Sequence, residues 1–299
     1  MQLTILNMSK RYPNGVQALD NVSLTVAPGM FGLLGPNGAG KSTLMRTLAT
    51  LQEADSGSAK LDDIDVLKDK DRVRRLLGYL PQDFGVYPKV SAQDMLDHFA
   101  RLKGITNARE RKATVEALLE RTNLTAARKQ KLGGFSGGMR QRFGIAQALI
   151  GNPRLIIVDE PTAGLDPEER VRFLNLLAGI GRDAVVILST HIVDDVADLC
   201  PNFAVISKGR VQLTGAPSAA VATLKGKIWR SAVPREELDA IQKSLPVISS
   251  RLQSGETVVR AYSDTTPGPG FESVEPELED VYFSSVTGHL PSQLPQAAA

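Results

Sequence analysis

The sequence has little of several features that would narrow its function. Its single cysteine, Cys200, excludes an internal disulfide and favours a reducing compartment. Lys and Arg number 35 against 33 Asp and Glu, so the net charge of +2 gives no basis for a nucleic-acid surface, and phosphate binding must be local. No apolar run approaches the ~20 residues that cross a bilayer, and residues 1–10 lack a basic start with an apolar core. We therefore expect a soluble protein that reaches a membrane only through a partner.

A glycine-rich stretch, GPNGAGKST, follows a short apolar strand predicted over residues 30–34. Residues 35–42 match the P-loop pattern G-x-x-x-x-G-K-[ST], and chance is a poor explanation because a strand precedes the turn and a helix is predicted after it. The backbone N–H groups of such a turn and the helix N-terminus bind phosphate, while the lysine adds a positive charge and the serine can bind Mg²⁺. The predicted helix places three leucines on one face: Leu44, Leu48 and Leu51.

The run LIIVDEP, residues 155–161, has four apolar residues followed by two acids. This pattern is typical of a buried parallel strand that ends in carboxylates at the ligand-binding edge of a sheet, although an acidic pair after a strand is often only a solvated turn. Beside a P-loop, Asp159 is placed to support Mg²⁺, directly or through water, and Glu160 to polarise the water that attacks a γ-phosphate. We therefore predict a nucleoside triphosphate site.

A helical insertion is predicted between these two halves of the site. The interval is far longer than a βαβ repeat requires, and its residues 91–105 and 106–124 are rich in helix formers. Gln82 precedes the insertion, on a loop after a short apolar strand.

The stretch FSGGMRQRF, residues 135–143, follows the insertion. Ser136 is a candidate helix N-cap, and adjacent glycines are a costly way to begin a helix. Gly137 and Gly138 leave no side chain between the backbone N–H groups and an anion, so the stretch predicts a close approach to a ligand.

Six motifs occur along the chain in this order: GPNGAGKST, Gln82 in YLPQ, FSGGMRQR, LIIVDEP, AGLD at residues 163–166, and His191 in LSTHIVDD. In order, type and spacing they resemble the Walker A, Q-loop, signature, Walker B, D-loop and H-loop motifs of the ATP-binding cassette (ABC) family. The resemblance covers residues 2 to about 220. It implies an α/β P-loop NTPase cassette of the ABC type over residues 1–225, with a mixed sheet, a RecA-like core and a helical subdomain at about 88–150.

The resemblance also implies roles for individual residues. The implied catalytic residues are Lys41, Gln82, Glu160 and His191. The implied cofactor, Mg²⁺, is bound by Ser42, Gln82 and Asp159. ATP is bound by Tyr12, which stacks on adenine, and by the Walker A residues Gly35, Pro36, Asn37, Gly38, Ala39, Gly40, Lys41, Ser42 and Thr43.

Taken singly, several of these residues have a plainer interpretation. Tyr12 also fits the edge of an amphipathic strand, and a lone Gln82 is ordinarily a solvated loop residue. Asp166, in the D-loop, is also a candidate N-cap for the helix predicted by PEERVRFLNLL. An isolated histidine is most often a surface residue, which is our interpretation of the two histidines outside the motifs, His98 on a helix and His289 in the tail.

The family places the signature motif against the triphosphate of a second subunit. This chain has one P-loop and one signature, so the resemblance implies a partner that is a second copy or a related cassette. The residues implied to act on the partner's ATP are Ser136, Gly137, Gly138 and Asp166. Phe135 and Met139 stand where many members carry leucine and glutamine, and both are compatible with nucleotide contact.

Residues 226–299 predict a small C-terminal α+β domain. Strands are predicted over 228–233, 246–252 and 257–263, with a helix over 234–245, a flexible stretch at 265–270 and a disordered tail at 290–299. The segment EPELEDVYFSSVTG resembles the closing helix of cassette ATPases that serve ABC-2 exporters, including drug exporters. The residues that it places at helical spacing are Leu278, Val281, Tyr282 and Ser285.

The resemblance implies an ATP-binding and ATP-hydrolysing subunit that energises transport through a separate transmembrane permease at the cytoplasmic face of the membrane. The resemblance of the C-terminal segment implies the export direction. No nucleic-acid partner is expected. One alternative is a soluble ABC-type ATPase in DNA repair or translation, which usually carries tandem cassettes or a coiled-coil insertion; neither occurs here. Another alternative is a module that uses ATP only as a switch, with negligible hydrolysis. The presence of Glu160 and His191, which the resemblance assigns to catalysis, disfavours this alternative. The transported substrate is not encoded in these motifs.

Overall fold

The computed structural model describes residues 1–180 and 184–288. In chain order, the strands β1 to β14 are Leu3–Arg11, Gln17–Val26, Gly29–Leu34, Ser56–Leu61, Ile64–Asp65, Leu77–Leu80, Leu155–Asp159, Val185–Thr190, Asn202–Ser207, Arg210–Gly215, Ile228–Val233, Val247–Gln253, Glu256–Tyr262 and Glu272–Ser273. The helices α1 to α10 are Lys41–Leu48, Lys70–Leu76, Ala92–Leu102, Ala108–Arg121, Gly137–Ala148, Pro167–Ile180, Val193–Leu199, Pro217–Ala222, Leu238–Ser244 and Leu278–Thr287.

Two sheets form the first part of the chain. A six-stranded sheet has the order β10-β9-β3-β8-β7-β6 and is parallel except for the antiparallel pair β9 and β10. An antiparallel sheet has the order β2-β1-β4-β5. Every residue of β7 and β8 is buried, as expected for central parallel strands that are covered on both faces. The sequence therefore places the acids of LIIVDEP at the end of a buried strand.

The two faces of the six-stranded sheet bury separate cores. Ile157 and Ile187 point to the core that contains α1 and the antiparallel sheet, whereas Val158 and Leu188 point to the core beneath the helices α3 to α7. Successive strand side chains alternate between faces, so one apolar run supplies both cores. The carboxyl ends of β3, β7 and β8 thus meet at one sheet edge.

The predicted helical insertion is confirmed, with α3, α4 and α5 between β6 and β7. Ser91 caps α3 by accepting from the Asp94 N–H at 3.2 Å, and Asn107 caps α4. These caps satisfy N–H groups that a helix cannot satisfy itself, which fixes where each helix begins. His98 lies exposed on α3, as predicted.

The prediction for the helix after the P-loop was wrong at its end. Leu44 and Leu48 are buried, but α1 ends at Leu48 and Leu51 is 62% exposed. Thr50 adopts a left-handed φ of 61°, which ends the helical path, and the Leu51 N–H donates to the Arg46 carbonyl at 2.9 Å. The helical spacing of the leucines therefore predicts the helix correctly only as far as Leu48.

The last part of the chain forms a third sheet, β12-β13-β11-β14, which is antiparallel throughout. The helix predicted over 234–245 begins with a 3₁₀ turn at Arg235–Glu237 before α9. After the predicted flexible stretch, β14 pairs with β11. The predicted disordered tail and His289 lie outside the described residues.

The predicted closing helix is α10. Leu278, Val281, Tyr282 and Ser285 are all buried on it, as expected from their spacing. The helix packs against α7, α8 and β12. Within the residues that the structure describes, no helix is long and apolar enough to span a membrane.

Candidate functional site

The P-loop lies between the end of β3 and the start of α1. Gly38 and Gly40 have φ of 77° and 108°, which residues with a Cβ rarely adopt. A Cβ at Gly35 would lie 2.3 Å from the Ile206 carbonyl oxygen, and one at Gly40 would lie 2.3 Å from the Ala18 carbonyl oxygen. Three of the motif's glycines are thus required by the backbone itself, and the turn that they form is of the type that presents N–H groups to an anion.

Lys41 is the first residue of α1 and is only 5% exposed. Its Nζ donates to the carbonyls of Gly35 and Pro36 at 2.7 and 3.3 Å. Burial lowers the pKa of the Lys41 ammonium, while the carboxylates of Glu160 and Asp159 act in the opposite direction. The ammonium is therefore fixed at the mouth of the turn.

Asp159 and Glu160 lie where β7 ends. Asp159 is 3% exposed, and its Oδ1 has no hydrogen-bond partner among the described residues. Burial raises the pKa of its carboxyl, an effect that the neighbouring Ser189 and Ser42 hydroxyls reduce. A buried carboxylate oxygen without a partner is costly, which is consistent with a site for a cation.

The backbone turns sharply at Glu160. Its φ is 47°, and its N–H donates to the Ser189 carbonyl at 2.8 Å. A left-handed residue other than glycine is uncommon and persists where the surrounding structure over-determines it. Asp159 and Glu160 are both buried, and the turn separates their backbone directions at the end of β7.

The four predicted catalytic residues meet at the Glu160 carboxylate. Its Oε1 lies 3.6 Å from Lys41 Nζ, and its Oε2 lies 3.2 Å from His191 Nδ1. The Gln82 Nε2 donates to Oε2 at 3.4 Å. Glu160 is 8% exposed, so a carboxylate nearly removed from water has cationic or polar partners from three other segments of the chain. We refer to residues 35–43, Gln82, Asp159, Glu160 and His191 as the Walker half of the site.

Tyr12 lies in the loop after β1. Its hydroxyl donates to Gln52 Oε1 at 3.1 Å and lies 3.3 Å from Thr43 Oγ1. These contacts attach the side chain to the first turn of α1, beside the P-loop. Stacking on adenine stays a prediction.

The signature stretch begins α5. The Met139 N–H donates to Ser136 Oγ at 3.2 Å, which confirms the predicted N-cap. A Cβ at Gly137 would meet no described atom within 4 Å, whereas one at Gly138 would lie 2.4 Å from Glu169 Oε2. A glycine is therefore needed at each position for a different reason. Gly137 keeps an exposed surface open, and Gly138 makes room for Glu169.

Asp166 precedes α6 and caps it, because its Oδ1 accepts from the Glu169 N–H at 2.8 Å. This confirms the plainer interpretation of Asp166, while a role across a dimer stays a prediction. Arg142 of α5 lies 3.6 Å from Glu169, so α5 and α6 are joined beside these residues. We refer to residues 136–138 and Asp166 as the signature half. Within residues 1–180 and 184–288, no hydrogen bond or ion pair joins it to the Glu160 cluster.

Comparison with known proteins places the chain in a family. The family model described as "ABC transporter" matches residues 19–163. YxlF of Bacillus subtilis strain 168, an uncharacterised ABC transporter ATP-binding protein, is 32% identical over 95% of this chain and 99% of its own length. The chain belongs to the ABC transporter family.

Two further similarities bear on the length and fold of this ABC protein. YbhF of Escherichia coli K12, a probable multidrug ABC transporter ATP-binding protein, is 31% identical over 99% of the chain, but the chain spans only 54% of YbhF. The cassette MJ0796, solved as a dimer in a post-hydrolysis state with ADP and Pi, superposes with a TM-score of 0.65. That match has 26% identity and covers 72% of this chain and 98% of the other. The predicted P-loop NTPase cassette of the ABC type is confirmed.

Some residues of the site were not predicted from the sequence. Glu169 packs over Gly138 and belongs to no motif that we recognised. Asp195, which binds Thr162 and Arg170, ends the stretch LSTHIVDD, but the sequence assigned no role to it. Their importance comes from contacts between segments distant in sequence, and no local pattern indicates such contacts.

Proposed function

We propose that the chain is an ATP-binding and ATP-hydrolysing subunit that energises export through a separate transmembrane permease. One observation carries the proposal: Lys41, Gln82 and His191 come from separate segments and all contact Glu160 beside a P-loop. The name of YbhF, a probable multidrug ABC transporter ATP-binding protein, supports a role in transport. The resemblance of the C-terminal segment to exporter ATPases supports export as the direction. No specific feature of the described residues favours a soluble role in DNA repair or translation.

ATP would bind along the P-loop. The backbone N–H groups of residues 37–43 would donate to the phosphates, with Lys41 exchanging its carbonyl partners for phosphate oxygens. This exchange suits a lysine that already lies at the mouth of the turn. Tyr12 would contact the adenine from its place beside Thr43.

Mg²⁺ would be held by Ser42, Asp159 and Gln82. The residues fit such an ion, because they offer oxygen donors and because Asp159 Oδ1 is buried without a described partner. The ion, when bound, neutralises charge on the phosphate oxygens.

Hydrolysis would depend on Glu160 as the residue that orients and polarises the attacking water. Its contacts with Gln82, His191 and Lys41 fix the carboxylate in one place, which is the pre-organisation that such a role requires. His191 is 48% exposed in its side chain, so it can also reach a γ-phosphate that enters the cluster.

A complete site would need a second cassette. Gly137 leaves an open surface at the N-terminus of α5, and Ser136 and Asp166 are also exposed. These residues, with Gly138, would contact ATP bound to the other copy, and the dimeric state of the similar cassette MJ0796 supports this arrangement. The second cassette would be another copy or a related chain.

The permease would dock in a groove of about 380 Å³ between the sheet core and the helical insertion. Its lining is largely apolar and includes Leu51 and Leu102, which are 62% and 71% exposed, together with Tyr79 and Phe99. Large apolar side chains gathered at an exposed groove are typical of protein interfaces. The chain would thus be peripheral, at the cytoplasmic face of the membrane.

We also propose two domains, a cassette at 1–225 with its helical subdomain at about 88–150, and an accessory domain at 226–299. The support for the second is that, among residues 1–180 and 184–288, β11 to β14 pair only with one another.

The test of the function is Glu160→Gln. The amide keeps the size of the side chain but cannot accept a proton, so phosphate release should fall by at least about 100-fold while Mg-ATP still binds. ATP-dependent dimers should persist, measured by size-exclusion chromatography with Mg-ATP. Turnover at the wild-type rate would remove Glu160 from its role.

A further inference from the structure

Asp195, in α7, is 0% exposed, which is rare for a carboxylate without several partners. Its Oδ2 accepts from the Thr162 hydroxyl at 2.7 Å. Its Oδ1 accepts from Arg170 Nε and Nη2, both at 2.8 Å. The carboxylate is thus satisfied by two residues from another part of the chain.

These partners lie close in sequence to the proposed catalytic residues. Thr162, 3% exposed, follows Glu160 by two residues. Arg170 lies one turn into α6, where its N–H donates to the Asp166 carbonyl at 2.9 Å. Asp195 itself follows His191 by four residues and lies in the first turn of α7. One carboxylate therefore joins the segment after Glu160 to the segment after His191.

The intervening backbone is short and hydrogen-bonded, so this link restrains the site. The Ala163 N–H donates to the Glu160 carbonyl at 3.4 Å across Thr162, and the Ile192 N–H donates to Thr190 Oγ1 at 3.0 Å across His191. Glu160 also holds a left-handed backbone conformation, which needs support from its surroundings.

We propose that Asp195 is a positioning residue for hydrolysis, because its bonds to Thr162 and Arg170 set the place of Glu160 relative to His191. Asp195 touches neither ATP nor water in this role. The proposal rests on the proposed ATPase function.

The competing explanation is that Asp195 only stabilises the fold. The chain offers a matched control in Asp280 of α10, which is 3% exposed and accepts from Arg260 Nε at 2.7 Å and Nη2 at 2.6 Å. Asp280 is in the C-terminal part and takes no part in the proposed site. Asp280 Oδ2 also accepts from the Glu277 N–H at 2.8 Å, much as Asp195 also accepts from Thr162. Its replacement reports what the loss of a buried, hydrogen-bonded Arg–carboxylate pair does to stability.

The experiment compares Asp195→Asn and Asp280→Asn with the wild type in the full chain, measuring kcat and KM for Mg-ATP at 25 °C and thermal unfolding. Asp195→Asn should lower kcat about tenfold or more, since small misplacements of catalytic groups are costly. Its KM should stay within about twofold of the wild-type value, because the P-loop is unchanged. Asp280→Asn should lower Tm to a similar degree and keep kcat within about twofold.

A second pair of variants covers the case in which Asp195→Asn does not fold. Thr162→Val removes the hydroxyl at constant shape, while Thr162→Ser keeps it, and both retain the Arg170–Asp195 pair. The valine variant should lose kcat and the serine variant should keep most of it.

Three results would overturn the proposal. One is equal kcat in Asp195→Asn and Asp280→Asn, and another is equal kcat in the two Thr162 variants. The third is a wild-type chain that binds ATP and releases no phosphate, which would contradict the ATPase function as well. An active wild type with unaffected variants contradicts the positioning role alone.

Discussion

The Walker half and the signature half differ in how much of the site one chain builds by itself. In the Walker half, Glu160 already contacts Lys41, Gln82 and His191, and the glycines are fixed by backbone clashes. In the signature half, Gly137 faces open space and the hydrogen bonds are internal caps of α5 and α6. The difference between a pre-organised half and an open half supports the proposal that a second cassette completes the site.

Gly137→Asp is the substitution in the signature half with the largest expected effect on hydrolysis. An aspartate suits the first turn of a helix, so folding should be retained. Its negative charge would oppose a triphosphate presented by the partner, and hydrolysis should fall by about 100-fold while ATP binding to the Walker half stays intact. Phosphate release and ATP titration measure the two effects.

Gly137→Ala is the matched control for this variant, because it adds a Cβ in open space without charge. Its loss of phosphate release should be much smaller than that of Gly137→Asp, which separates the effect of the charge from the effect of the added Cβ. Normal turnover by Gly137→Asp would contradict a composite site.

A smaller effect is expected at Gly138, where a Cβ would meet Glu169. The carboxylate can rotate away at the expense of its contact with Arg142, so Gly138→Ala should be less stable than Gly137→Ala by about 1 kcal/mol in urea unfolding. The difference should vanish in a Glu169→Ala background. If the difference in stability persists in the Glu169→Ala background, the Glu169 side chain does not explain why position 138 is glycine.

Much of the Walker half could be predicted from the sequence because its geometry is local. The glycine pattern specifies the turn, and an apolar run followed by two acids specifies a buried strand with carboxylates at its end. The order of motifs then indicated that Gln82 and His191 belong to the same site. The caps at Ser136 and Asp166 were predictable for the same reason, since a cap depends on residues three positions apart.

The remainder depended on contacts that no local pattern encodes. Leu51 continued the leucine spacing, but the left-handed turn at Thr50 removed it from the helix. In the sequence, Gly138 could not be distinguished from its neighbour Gly137. A glycine is needed at position 138 because Glu169, on another helix, occupies the space of a Cβ. Asp195 became interpretable only through its bonds to Thr162 and Arg170.

The most direct test of the composite site is a mixing experiment with Glu160→Gln and Gly137→Asp. Each variant alone should be nearly inactive. A mixed dimer contains one intact site, formed by Glu160 of one copy and Gly137 of the other, so an equimolar mixture should recover about a quarter of the wild-type phosphate release. A mixture no more active than the mean of the two separate variants would contradict a site shared between two cassettes.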